Sequence, residues 1–154
     1  MSRAFVKEQD ADSVTDLPDR VISEHPNDVT AHGLALIEAE LKRAQDALAA
    51  AQTANDRDAI ARASRDLRYW DARRATAHVV PPFEDTSQVR FGHTVRLARD
   101  DGREQVFRIV GEDEADPARG TLSHVSPLAR ALFGKSVGDS VRAGAHDLEI
   151  LAIT

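Results

Sequence analysis

The strongest constraint on this chain is a pair of apolar seams, separated by a short polar break and closed by two prolines. Leu34, Ile37, Leu41, Ala44, Leu48 and Ala51 follow one another at alternating spacings of three and four. After the break "NDRD" a second series runs Ile60, Ala63, Leu67, Trp70, Arg74 and Ala77 at the same spacings. Heptad spacing draws one narrow apolar line along each of two helices, and each line needs a partner in order to leave water. Thr30 is placed to cap the first helix, and the Ala-rich stretch "AQDALAAAQTA" supports it by intrinsic propensity. Asn55 and Asp56 favour a turn. Two seams joined by a tight turn predict an antiparallel helical hairpin over residues 30–80, a projecting rod of roughly 30 to 36 Å at about 1.5 Å per residue. Leu41, Leu48, Leu67 and Trp70 carry most of the burial between its arms. Pro81 and Pro82 end the second arm, because they lack amide donors and bias the preceding residue toward extended geometry.

Beyond the prolines the period changes. "QVRFG", "TVRLA" and "QVFRIVG" alternate apolar and polar residues as strands do, with a turn at "RDDGRE" between the second and third. "SPLARALFG" fits a short helix, with Ser126 as cap, Pro127 in the first helical position and Gly134 just past the end. "SVRA" and "LEILAI" supply a last hairpin whose second strand is apolar enough to sit inside a sheet. Residues 81–154 therefore predict a small, mostly antiparallel sheet with one short helix, and the chain as a whole an α+β protein. Residues 1–29 combine seven acidic residues with Pro18 and Pro26 and no sustained periodicity. They predict a flexible acidic tail, in which only "LPDRVI" offers apolar side chains able to lie against a neighbour.

Charge narrows the function classes. The net charge is −6, divided as −4 over residues 1–29, +1 over 30–80 and −3 over 81–154. A general nucleic-acid-binding surface would carry a basic excess instead. No apolar run approaches the roughly 18 residues that would span a bilayer, and the N-terminus lacks the apolar region of a secretory signal. With no Cys in the chain, a cytoplasmic location is expected. No nucleophile and base, metal cluster or phosphate-binding glycine loop stands out, so the chain is expected to be neither an enzyme nor the holder of a cofactor or metal of its own. The six His residues are scattered; all are expected to be structural or at the surface, and His124, beside Ser126, is the one closest to a candidate site.

Three groups of charged residues allow two readings each. Asp56 and Asp58, at the apex of the rod, either share a hard cation through oxygen ligands or cap the second helix and meet its N-terminal dipole, with Arg57 between them lowering the local anionic charge. Arg57, Arg62, Arg65, Arg68, Arg73 and Arg74 make the second arm basic while Glu38, Glu40 and Asp46 load the first, for cross-arm ion pairs or for an acidic or nucleic-acid-lined groove. Beside Trp70 on the seam, Tyr69 points sideways. In "GEDEADPARG", Glu112, Asp113, Glu114 and Asp116 form either a solvated loop or, beside a helix start with free backbone donors, a compact docking surface.

The strings "VTAHGLALIEAEL", "FGHTVRL", "FRIVGEDEAD" and "GTLSHVSPLARALFGKSVGD", in this order, resemble the Gre family of bacterial transcription elongation and transcript-cleavage factors. The resemblance runs from Val29 to Thr154, and the string opening on Ser126-Pro127 is its most specific element. It implies an N-terminal antiparallel coiled coil and a C-terminal domain like the FK506-binding proteins. It also implies docking of that domain on a helical hairpin at the rim of RNA polymerase's secondary channel. Carried over, the docking residues are Asp113, Glu114, Ser123, Ser126 and Pro127, with Leu128 and Arg130 nearby. In the family the rod enters the channel and places two acidic residues near the polymerase's catalytic magnesium, stimulating hydrolysis of backtracked RNA. This sequence departs there: the tip motif, of the type "GDLSENAEY", is absent, and the arms are about two turns shorter than is usual. At about 5.4 Å per turn the tip would stop roughly 10 Å short, against about 2 Å for carboxylate ligation. Asp56 and Asp58 are substitutes by position alone, and any contact with the polymerase's magnesium would pass through them. The implied function is a monomeric Gre-like factor that binds bacterial RNA polymerase and modulates elongation, with or without stimulating cleavage, and meets nucleic acid only indirectly within the elongation complex. The alternatives are a competitor of Gre factors, or a regulator of another enzyme on the same scaffold, and a peptidyl-prolyl isomerase or chaperone. For an isomerase pocket the globular part offers few aromatics: Phe83, Phe91, Phe107 and Phe133.

Overall fold

A computed structural model describes residues 17–154; residues 1–16 of the expected acidic tail lie outside the described part. The described chain divides into two compact units, one of residues 17–24 and 37–76, the other of His25–Leu36 and Ala77–Thr154.

The first unit holds the hairpin. Helix α1 spans Ala31–Thr53 and helix α2 spans Arg57–Thr76. All six seam positions of α1 are buried or half-buried, with Ile37, Ala44 and Ala51 the deepest. The arms run antiparallel, since Glu38 near the start of α1 pairs with Arg74 near the end of α2 at 2.9 Å. Asn55 turns the tip in the left-handed region at φ 51°, which its short polar side chain tolerates better than most. Along α2 the expected seam holds through Ile60, Ala63, Leu67 and Trp70 and then slips. Arg73, only 2% exposed, takes the next inward place, while Arg74 is exposed and turned to Glu38.

Residues 17–24 lie against α2. Arg68 donates from Nε to the Asp19 carboxylate at 2.6 Å, and Arg20 pairs with Asp66 at 3.2 Å. The Arg20 guanidinium also sits 3.8 Å from the centroid of the Tyr69 ring and 5.5 Å from that of Trp70. The docked piece expected at "LPDRVI" is present, but its contacts differ from those anticipated. Leu17 is half-buried, but Val21 and Ile22 are 91% and 44% exposed, and ionic and aromatic contacts from Asp19 and Arg20 make the rest of the contact.

The second unit is built on a five-stranded sheet of β3 (Thr94–Arg99), β4 (Glu104–Val110), β5 (Thr121–Ser123), β6 (Ser140–Ala143) and β7 (His146–Ile153), in the order β5-β4-β3-β7-β6. Three of its four pairings are antiparallel, and β4–β5 is parallel, so the sheet is mixed. Val95, Leu97, Ile109, Leu148, Ile150 and Ile153 face one core with Ala129 and Leu132 of helix α3 (Pro127–Leu132). Ile150 and Ile153 stand three apart and would point to opposite faces of a regular strand. A register shift between Arg96 and Leu97 resets the alternation, so that Val95 pairs with Ile153 and Leu97 with Ile150 on the same side. The fold class is the expected α+β arrangement of a helical hairpin and a small sheet with one short helix.

Some parts of the second unit differ from the expectation. "QVRFG" forms no strand; Val89 is buried and exchanges backbone hydrogen bonds with Lys135 (2.8 Å) and Gly134 (3.0 Å), beyond the end of α3. Asp28–Val29, inside the segment expected to be a flexible tail, forms a two-residue strand β1 parallel to β2 (His78–Val79), and Asn27 and Val29 are buried. The boundary expected at residue 30 accordingly falls within a stretch, His25–Leu36, that belongs with the sheet. No helix among the described residues is long and apolar enough to cross a membrane.

Candidate functional site

The site is assembled where β4 and β5 end. Because these strands are parallel and Val110 pairs with Ser123, the acidic loop leaves the sheet at the edge where the Ser-Pro segment begins. The His124 amide donates to the Val110 carbonyl at 2.9 Å and extends that pairing.

The Ser-Pro segment is a helix start of the predicted kind. Ser126 has extended backbone geometry, and its hydroxyl accepts from the Ala129 amide at 3.3 Å. Pro127 follows at a position whose amide would be orphaned in any case. The Ser126 amide donates to the Ser123 carbonyl (3.0 Å) and the Val125 amide to the Ser123 hydroxyl (3.3 Å), so both serines are used to shape the turn. Pro127 and Arg130 remain exposed, and Arg130 reaches His25 Nε2 at 3.4 Å. Leu128 points inward and packs against the sheet core. Of the residues expected for docking, Ser123, Ser126, Pro127 and Arg130 thus come together on one short segment, whereas Leu128 supports it from beneath.

The acidic loop, residues 111–120, is held by its own polar groups. Thr121 accepts from the Asp116 amide at 2.7 Å, and the turn Pro117–Arg119 closes on Gly120, which sits at φ 85°. Asp116 and Arg119 form an exposed pair at 3.5 Å. Glu114 is engaged within the fold: its carboxylate accepts from the Thr30 hydroxyl, and that hydroxyl in turn accepts from the Gly33 amide at 2.9 Å, capping α1 as expected. Gly33 makes room for this arrangement, because a Cβ there would lie 2.8 Å from Glu114 Oε1. Asp113, half-buried, lines an open cavity of about 450 Å³ with Glu114, Asp116, Arg119, His32 and Leu36. The bond from Glu114 to Thr30 was not legible from the sequence: 84 positions separate the partners and no spacing rule links them.

Two histidines frame the region. His93 is buried, its Nδ1 accepting from the Arg90 amide and its Nε2 donating to the Phe83 carbonyl, both at 3.0 Å, which fixes the tautomer. His124 stands edge-on to Phe91, 5.5 Å between ring centroids, with Nε2 buried and without a hydrogen-bond partner among the described residues. Burial pushes the His124 pKa below its ordinary value, against the opposing pull of Asp28 and Glu112. Three of the four phenylalanines in residues 81–154, Phe83, Phe91 and Phe133, line a separate open cavity of about 310 Å³ with Val89 and Arg90.

At the tip, Asp56 accepts from the Ala59 amide at 3.1 Å and so caps α2, while Asp58 sits in the first turn. Among the described residues no group of three or more His, Asp or Glu side chains is placed to hold a metal ion.

Known proteins align with the part of the chain that builds this site. Residues 84–154 match the family model for the C-terminal domain of the transcription elongation factors GreA and GreB. Transcription elongation factor GreB of Neisseria meningitidis serogroup B is 46% identical over 95 residues, covering 58% of each chain. Transcription elongation factor GreA of Agrobacterium fabrum is 47% identical over 72 residues, covering 44% of this chain and 46% of its own length. The chain thus spans about half the length of the curated relatives it matches. A solved GreA/GreB elongation factor from Nitrosomonas europaea aligns over 82% of this chain and 98% of its own, at 20% identity and a TM-score of 0.42, too loose a likeness to bear on function. Residues 84–154, which carry the Ser-Pro segment and the acidic loop, are thus similar to the C-terminal domain of the GreA/GreB transcription elongation factors.

Proposed function

We propose that this chain is a Gre-like transcription factor that binds bacterial RNA polymerase at the secondary channel and modulates elongation without stimulating transcript cleavage. The observation that carries the reading is the convergence of Ser126-Pro127 and the acidic loop at one end of the sheet, inside the region that matches the family model. Ser123, Ser126, Pro127 and Arg130 form the contact segment, and Asp113 is its acidic partner across the strand ends. Leu128 and Glu114 hold these two parts in place from within the fold.

The second half of the proposal rests on the tip. The Asp56 carboxylate accepts from the Ala59 amide, so the end of the hairpin is built as a capped turn. A factor that occupies the channel entrance without cleaving would also displace cleavage-competent factors from the same seat.

Capture of RNA polymerase by the full chain tests the first half. The wild type should retain the polymerase, and Ser126→Glu should lower retention at least about ten-fold, with Pro127→Ala intermediate and melting curves confirming that both variants are folded. A wild-type chain that retains no polymerase at saturating concentration would remove the proposal. For the second half, backtracked elongation complexes should keep their RNA 3′ ends in the presence of the protein; shortening that disappears in Asp56→Ala with Asp58→Ala would overturn it.

A further inference from the structure

The segment that lies against α2 is unusual in how it is held. Residues 17–22 include Leu17, Val21 and Ile22, yet the last two face solvent at 91% and 44% exposure, and the contact is made by two neighbouring charged residues. Asp19 takes the Arg68 guanidinium, and Arg20 takes the Asp66 carboxylate while covering the Tyr69 ring and the edge of Trp70. Tyr69 and Trp70 are themselves edge-to-face, 4.9 Å between centroids at 83°. One Asp-Arg dipeptide therefore neutralises one cation and one anion of the helix and shields the only Tyr and the only Trp of the chain.

The four charged side chains of this contact are all between 36% and 71% exposed. Ion pairs so exposed are weak and are screened by salt, since the Debye length falls from about 10 Å at 0.1 M to about 3 Å at 1 M. No apolar burial by Val21 or Ile22 adds a salt-independent hold. Leu17 is half-buried, so the contacts over Tyr69 and Trp70 that follow ionic strength are those of Asp19 and Arg20, unlike the seam beneath them, which is apolar.

We propose that residues 17–22 act as a salt-sensitive strap over the second arm, which when closed shields Tyr69 and Trp70 and when open presents them beside Arg68 as an aromatic and basic surface. The strap is a conformational device of this chain: its two anchoring residues are adjacent, so both contacts open together, and α2 keeps its own hydrogen bonds and seam in either state.

Trp70 is the sole tryptophan and reports on the strap directly. Quenching of its fluorescence by neutral acrylamide should rise about two-fold in the full-length protein between 50 mM and 1 M NaCl, while helicity by far-ultraviolet circular dichroism stays unchanged. Arg20→Gln should already show the higher quenching at 50 mM and should respond little to added salt, with Asp19→Asn in between. Quenching that is the same across salt and variants would overturn the proposal. So would a rise that occurs only together with loss of helicity, because the segment would then be a permanent brace of the helix and not a strap.

Discussion

The two units of this protein bury their apolar residues in opposite ways. In the sheet unit, Val95, Leu97, Ile109, Leu132 and Ile150 are removed from water completely, and branched side chains meet from four strands and a helix. In the hairpin unit the buried apolar positions are, apart from Ile37, alanines (Ala44, Ala51, Ala61 and Ala63), and the larger Leu41, Leu48, Leu67 and Trp70 stay half-exposed. Each fully buried Leu or Ile contributes roughly 1.5–3 kcal/mol on leaving water, several times what an Ala position can supply. Exposed pairs such as Glu38–Arg74 and the Asp19-Arg20 contact add small, salt-screened amounts to the hairpin.

That contrast can be broken or sharpened by substitution. Leu132→Ala should have the largest effect, about 2–5 kcal/mol off the sheet unit, because it opens a cavity in a site with no exposure. Leu48→Ala, at a half-exposed seam position, should cost less than about 2 kcal/mol; equal losses in denaturant titrations would show that the two units do not differ as described. Ser126→Ala removes a cap and should cost about 1 kcal/mol, read as a shift in the midpoint of denaturation, with Ser126→Asp restoring most of it. Arg74→Gln should change stability by less than about 1 kcal/mol, and its effect should vanish at high salt, which none of the apolar substitutions would do.

The smallest effect concerns pH. Burial lowers the His124 pKa, so the folded state binds its proton less readily than the unfolded chain. The stability this neutral imidazole supports is present above the unfolded value of about 6.5 and is lost as pH falls through the folded pKa. His124→Phe should therefore flatten the decline of the melting temperature between pH 7 and pH 5; an unchanged slope would mean that His124 does not contribute to it.

Much of the architecture was legible because it is local. The seam of α1, the Asn55-Asp56 turn, the cap at Ser126 and the strands of two hairpins all follow from periods or spacings within a dozen residues. Where the reading missed, the cause lay in partners distant along the chain. β5 is only three residues long and gains its identity from β4, and β1 and β2 are two residues each, paired across fifty positions. "QVRFG" has the alternation of a strand, but Val89 finds its hydrogen bonds in the turn after α3. Arg73 is buried where the strict heptad places Arg74, a one-residue departure that the spacing alone does not foresee. The candidate site divides along the same line. Ser126 and Pro127 announce themselves by helix-start chemistry, whereas the inward commitment of Glu114 depends on Thr30, which no local rule connects to it.

The Thr30 hydroxyl serves two masters, receiving the Gly33 amide and giving its own hydrogen to Glu114. Its orientation is set by the first of these bonds, so the anchorage for Glu114 is ready only after the opening turn of α1 has wound. Residue 30 leaves the ribosome well before residue 114, so the acidic loop is the later arrival at this bond, and the bond closes only once the sheet that carries the loop is assembled.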